Sequence, residues 1–252
     1  MSLLSVRPRT STVTVAVALL LVLSGCNALS DSPTAGSEWV SPSESLPEEL
    51  PPGVSESGVD ADALIDANRA ALYGEGFALR TNSIGGDESV RATADRSRVR
   101  YDVNTSGPDR EVFLDGETMH VRTHRGNDTD VRTAPRSKDA AAVPDSFVRD
   151  DRLAQFLRAA DHEPVGTVER DGETLVVLEA DESDLSADAF GDWNVSTFRS
   201  QVLVGSDGLV YEFRGAAEGT DASGEEFRVA PRYSLEAVGN VSVERPAWAD
   251  GE

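Results

Sequence analysis

Residues 97–124 read SRVRYDVNTSGPDREVFLDGETMHVRTH. Apolar and polar residues alternate along it: Val99, Tyr101 and Val103 fall on one side, Arg98, Arg100 and Asp102 on the other. Met119, Val121 and Thr123 likewise oppose His120, Arg122 and His124. A period of two belongs to a strand with one face buried, whereas a helix would space its apolar residues three or four apart. Asp115-Gly116 separates two of these runs by the short turn that type I′ geometry favours, and Asp171-Gly172 and Asp207-Gly208 repeat the device.

Outward from this stretch the same period predicts strands near 77–83, 88–94, 97–104, 110–115, 118–124 and 129–134. A second group is expected at about 165–170, 173–180, 195–205, 208–216 and 225–243. In the last, Phe227, Val229, Pro231, Tyr233, Leu235, Ala237, Val241 and Val243 alternate as on one long half-buried strand, with Gly239 as a bend. Leu64, Ile65, Asn68, Ala71 and Leu72 follow helical spacing after an Asp60 N-cap, with Gly74 placed to stop the helix. Asp150–Ala160 reads as a second helix and Leu185–Phe190 as a short third. The expected class is therefore α+β: a large curved antiparallel sheet of about ten or eleven strands, a half-open β-barrel, covered by two or three helices.

The N-terminus reads as an address. Arg7 and Arg9 precede an apolar run from Val13 to Leu23, too short for a membrane span of about 20 residues. Leu23-Ser24-Gly25-Cys26 then resembles the lipobox of prokaryotic lipoproteins, and Cys26 is the chain's only cysteine. Residues 1–25 are expected to be a signal peptide, with a lipid on Cys26 anchoring the protein to the outer face of the cell membrane. No paired arginines mark a twin-arginine export signal. Residues 26–58, rich in Ser, Pro and Glu, read as a disordered tether, and 59–249 as the folded domain.

The chain carries 45 acidic against 23 basic residues, a formal net charge of −22. Without residues 1–25, which hold two arginines and no acid, 45 acids face 21 bases, giving −24. Such a charge excludes the basic stripe that nucleic-acid binding needs. Lys138 is the one lysine. An acidic surface almost free of lysine resembles proteins of salt-loving archaea, whose self-repulsion molar salt screens to about 3 Å. The single cysteine rules out a disulfide framework and a Cys-rich zinc site.

The order helix, strands, helix, hairpins, after a lipobox and tether, is similar to the lipoprotein carriers LolA, LolB, LppX and LprG, half-open barrels whose helices close an apolar cavity. The segments Pro51-Pro52-Gly53-Val54, Asp66–Leu72, Glu163–Gly172, Asp207–Val210 and Val243–Trp248 also resemble an uncharacterised family of haloarchaeal lipoproteins, over about residues 50–249. That family has no assigned activity, so the resemblance implies location and fold alone.

No GxSxG, HExxH, Walker or GxGxxG spacing occurs after residue 26, and neither an enzyme nor a cofactor is expected. His120, Arg122 and His124 share a strand face that reads as solvated, since two histidines without a third ligand make a weak metal signal. His162 is placed to cap carbonyls beyond the second helix. The acids Asp181, Glu182, Asp184, Asp188 and Asp192 lack EF-hand spacing and read as surface. Trp193 and Trp248 are assigned to core or edge packing in preference to a cavity mouth. Asn104, Asn127, Asn194 and Asn240 fit the N-glycosylation sequon. The residues expected to face inward are Val99, Tyr101, Phe198, Val202, Leu209, Tyr211, Phe213, Phe227, Val229, Tyr233 and Leu235. Patterning tells which side is buried but never against what, so two readings stand: a pocket for a lipid or other hydrophobic molecule, or a filled core in an envelope interaction module.

Overall fold

The computed structural model describes residues 39–43, 45–83, 86–138, 142, 151–186 and 189–250. Cys26, the leader and the first part of the expected tether lie outside them.

Two short strands, β1 (Val54–Ser55) and β2 (Gly58–Val59), lead into helix α1 (Ala61–Leu72). The Asp60 carboxylate accepts from the Ala63 amide at 3.1 Å, the N-cap that the sequence predicts. A meander follows: β3 (Gly76–Ser83), β4 (Gly86–Ala92), β5 (Arg98–Thr105), β6 (Asp109–Asp115), β7 (Thr118–Arg125) and β8 (Asp128–Pro135). After helix α2 (Asp151–Arg158) come β9 (Glu163–Arg170), β10 (Glu173–Asp181), β11 (Asn194–Val204), β12 (Val210–Thr220), β13 (Glu226–Val229) and β14 (Arg232–Gly239). At the β9–β10 turn Asp171 and Gly172 take φ of +54° and +84°, the two positive values of a type I′ turn.

Strands β3–β14 form one twelve-stranded antiparallel sheet in the order 8-7-6-5-4-3-14-12-11-10-9, with β13 also on β12. Because β14 lies between β12 and β3, the last strand joins the two meanders. The ends, β8 and β9, do not pair with each other, so the curved sheet is a half-barrel that stays open. The expected fold class is the one observed.

Both helices cover the inner face. Leu64, Ile65 and Leu72 of α1, with Leu153, Ala154 and Leu157 of α2, pack on Phe77, Leu79, Val90, Leu178, Val202 and Phe213. Leu64 and Leu72 are fully buried, each contributing about 2 kcal/mol of apolar transfer. Arg158 binds Asp62 through two nitrogens at 2.7 and 2.8 Å, joining the helices, and buried Asn68 accepts from the Val210 amide at 2.9 Å, fixing α1 to β12.

Three sequence expectations are corrected. The long strand 225–243 is interrupted at Ala230 and Pro231, since Pro231 has no amide hydrogen, although its carbonyl still accepts from Gly215 at 2.9 Å and β13 and β14 keep one register on β12. A register shift between Leu235 and Ala237 and a bend at Gly239 (φ +93°) then move the chain to the other side of the sheet. Val243 consequently packs with Phe113 on the outer face, away from Tyr233 and Leu235. The short third helix is absent from 185–186 and 189–190, the described part of its range. A 3₁₀ turn lies earlier, at Glu182–Asp184, while Leu185 is extended and bridges to Ala160. Finally, the segment expected as disordered is docked from Val40 onward. The Val40 amide donates to Gln201 at 3.0 Å, and Ser43 bridges Thr167 of β9. Leu46 and Leu50 pack on the core, so the segment gains apolar contacts that its Ser/Pro/Glu composition conceals.

Candidate functional site

The inner face has two zones. Over β3, β4, β10–β12, β14 and the start of β5 it is sealed: Val99, Val202, Leu209, Phe213, Tyr233 and Leu235 are each at most 4% exposed within one packed cluster. Phe156 of α2 stacks on Phe213 with centroids 4.6 Å apart and planes 7° from parallel. Over β5–β7 the cover is incomplete among the described residues. Tyr101, Val112 and Met119 occupy neighbouring inward positions in register and are half-buried. Val103 and Val121 continue this apolar shelf along the same strands.

The eleven inward residues expected from sequence therefore do not form one lining. Six lie in the sealed core, and Tyr101 stands on the shelf. Tyr211 touches both the inner core and the outer cluster around Leu175, Val177 and Leu203. Phe198, Phe227 and Val229 belong to a separate cluster at the far end of β11–β13, where the Trp193 ring lies against Phe227 with centroids 4.6 Å apart and planes tilted by 49°. The sequence list missed Val112, Met119 and Phe156. Their alternation and helical spacing marked them as apolar, but nothing in the pattern tells which apolar positions a helix leaves uncovered.

Between the sealed core and this aromatic cluster sits a polar pair. His162 is 2% exposed. Its Nδ1 donates to the Ala160 carbonyl at 2.9 Å, which leaves Nε2 to accept the Ser200 hydroxyl at 2.8 Å. The expected carbonyl cap is present and the imidazole is neutral: burial lowers its pKa, against the opposing pull of the Ala160 carbonyl.

On the outer face, the strip expected to be solvated is largely covered. The Glu111 carboxylate takes Arg122 Nε at 2.8 Å, Arg100 at 3.3 Å and the Trp248 indole N–H at 3.2 Å, and His124 lies 3.4 Å away. Burial raises its pKa, but Arg122, His124 and Arg100 outweigh that, and the net direction is down. Arg122 lies 5.0 Å from the Trp248 ring centroid. His120 is buried and shares a hydrogen bond with Thr133 at 3.1 Å. The cover is the C-terminal segment, which brings Arg245 to Asp115 at 2.9 Å and folds as a 3₁₀ turn at Ala247–Asp250. Trp248 is thus outer-face packing, away from the shelf.

Two open hollows are bounded by described residues: one of about 700 Å³ with a mixed lining, Glu163, Glu179, Asp181 and Arg199 beside Val165 and Phe198, and one of about 490 Å³ with a mostly polar lining that includes Arg80, Arg91, Asp102 and Glu236. In the acid loop Asp181 and Asp184 form a reciprocal cap. Among the described residues no group of three or more His, Cys, Asp or Glu is arranged to hold a metal, and no helix is long and apolar enough to cross a membrane. Asn104, Asn127, Asn194 and Asn240 are all exposed.

Fold and site together define an open antiparallel half-barrel with a helix-covered apolar inner face. The chain belongs to DUF7537, a family of unknown function whose model matches residues 11–251. No curated protein matches it. Among solved structures, LprF from Mycobacterium bovis aligns with 77% of this chain and 99% of its own, at 13% identity and a TM-score of 0.42. The Mycobacterium tuberculosis lipoprotein LppX aligns with 73% of this chain and 98% of its own, at 13% identity and a TM-score of 0.35. A DUF1329 family protein from Desulfovibrio piger covers 76% of this chain and 95% of its own at 10% identity and a TM-score of 0.21.

Proposed function

We propose that this chain is a non-enzymatic, exported lipoprotein, anchored to the outer face of the cell membrane through a lipid on Cys26, that holds a hydrophobic molecule on the shelf over β5–β7. The observation that carries the ligand reading is the half-burial of Tyr101, Val112 and Met119 on adjacent strands of the inner face. A contiguous apolar surface left partly open beside a sealed core is where a hydrophobic ligand gains most from leaving water. The anchor rests on the spacing of the leader and on Cys26 as the only cysteine. Molar salt is the medium that suits the acidic surface, and the four exposed sequons are available to an export-linked glycosylation system.

A second reading, an envelope interaction module with a filled core, is favoured by the six inward residues already packed dry. Native mass spectrometry separates the two, using the chain from Asn27 onward, which lacks Cys26 and its lipid, expressed in a salt-loving host, purified without detergent and extracted with organic solvent. The ligand reading expects a stoichiometric lipid or isoprenoid that is lost from a Val112→Glu, Met119→Glu chain of unchanged circular dichroism. A clean mass that stays clean after incubation with host lipids leaves the interaction module. Cys26→Ser in the full chain tests the anchor separately: the lipid mass on the N-terminal peptide should disappear.

A further inference from the structure

The two edges of the open sheet are treated differently. At the β9 edge, Ser43 pairs with Thr167, and Gly166 permits the close approach, since a Cβ there would stand 1.6 Å from the Ser43 carbonyl. At the β8 edge, no described residue pairs with the free side of the strand. The direction of its backbone groups follows from the hairpin. The Arg136 amide donates to Glu117 across β7–β8 at 2.7 Å, so even-numbered residues of β8 point their backbone toward β7. Thr129, Val131 and Thr133 therefore present their N–H and C=O groups outward. Val131 is also one of the few large hydrophobic side chains in the described structure that is exposed, at 41%.

The sequence of this edge is complementary to itself. When two copies run antiparallel about Val131, Val131 lies opposite Val131, Thr129 opposite Thr133, and Asp130 opposite Arg132, twice by symmetry. The outward backbone groups of 129, 131 and 133 then meet as hydrogen-bonded pairs, giving about six new ladder bonds. The two Asp130–Arg132 pairs fall at the closer, non-hydrogen-bonded positions, where opposite charges attract and like charges repel. Within one copy Arg132 contacts Asp130 at 2.6 Å, but both side chains are more than half exposed, so exchanging that contact for one across the strands costs little. A slip of one residue would put Asp130 opposite Val131 and Arg132 opposite Thr129 and lose both pairs. We infer that the free edge of β8 is a self-association surface whose partner is β8 of a second copy of this chain, in the register centred on Val131.

The test uses the full chain in its own membrane, where wild type, with Cys26 as its only cysteine, is the control. Opposed Cα atoms about 5.5 Å apart in a hydrogen-bonded pair are within disulfide range. Under mild oxidation Val131→Cys should cross-link into a dimer, while Thr129→Cys, about 13 Å from its own copy in this register, should not. On the Val131→Cys background, Asp130→Arg or Arg132→Asp alone should reduce cross-linking at least tenfold, and the two chains co-expressed should cross-link to each other again. Val131→Cys chains that keep wild-type circular dichroism yet give no dimer, equal cross-linking at 129 and 131, or no rescue by the charge exchange would each overturn the inference. A different occupant of the edge, such as another segment of this chain, would give the first of these results.

Discussion

His162 and Glu212 are the residues whose surroundings make the sharpest demands. A neutral, buried imidazole refuses the proton that the unfolded chain accepts near pH 6.5, so its folded pKa is depressed and stability falls as pH drops below that value. His120, lowered first by burial and then by Arg245, adds to the same slope. Thermal melts between pH 7.5 and 5.5 should show a falling midpoint, and His162→Gln should remove about half of that dependence, since one proton is worth at most about 1.4 kcal/mol per pH unit. Glu212 is lowered as well, but there it is the charged form that the fold holds. Burial raises its carboxyl, but Arg214 at 2.7 Å and Arg232 at 2.9 Å outweigh burial and lower it. Its contribution is complete above the ordinary value of 4.5 and is lost as pH falls through the folded pKa. Because the side chain is 2% exposed, Glu212→Gln removes a buried carboxylate that Arg214 and Arg232 both bind, and denaturant melts at pH 7 should lose about 3 kcal/mol.

At the scale of elements, the docked segment Val40–Ser43 depends on a single glycine. Gly166 has φ of +150° and faces the Ser43 carbonyl, so Gly166→Ala forces the two chains apart. The expected result is loss of amide protection at Ser43, whose N–H donates to Thr167 at 2.8 Å, with protection of β10 and β11 retained. Hydrogen exchange read by mass spectrometry checks this, and unchanged protection at Ser43 would show that the side-chain bonds of Gln201 to Val40 suffice. Elements were also where sequence reading was strongest. Ten strand positions, the Asp60 cap and both helices were legible because each rests on local period or local hydrogen bonding. The interruption of the last strand at Pro231 was less so, since both the alternation and the register on β12 continue through it.

Across the whole molecule, a charge of −22 opposes the compact state. Raising salt from 0.1 M to 2 M shortens the screening length from about 10 Å to under 3 Å. The melting midpoint should therefore rise steeply over that range, and an equal rise in non-ionic osmolyte alone would point to excluded-solute effects. The same charge shapes how the inner and outer faces differ. The inner face excludes charge almost completely from its sealed zone, while on the outer face acids such as Glu111 and Glu212 are each held among several arginines.

The class of fold, the succession of strands along the chain and the buried side of most strands follow from the residues alone, because alternation, turn pairs and caps are local and survive without tertiary partners. The sequence also places Cys26 in its lipobox-like context. What each buried side is buried against depends on long-range packing. Val99 and Tyr101 carry the same sequence signal two residues apart, yet one is sealed and the other stands on the shelf. Val243 keeps the alternation of Tyr233 but packs on the opposite face, because a register shift and a bend intervene. The reach of a helix over a sheet and the path of a docked segment are set by long-range packing, which no period in the chain encodes.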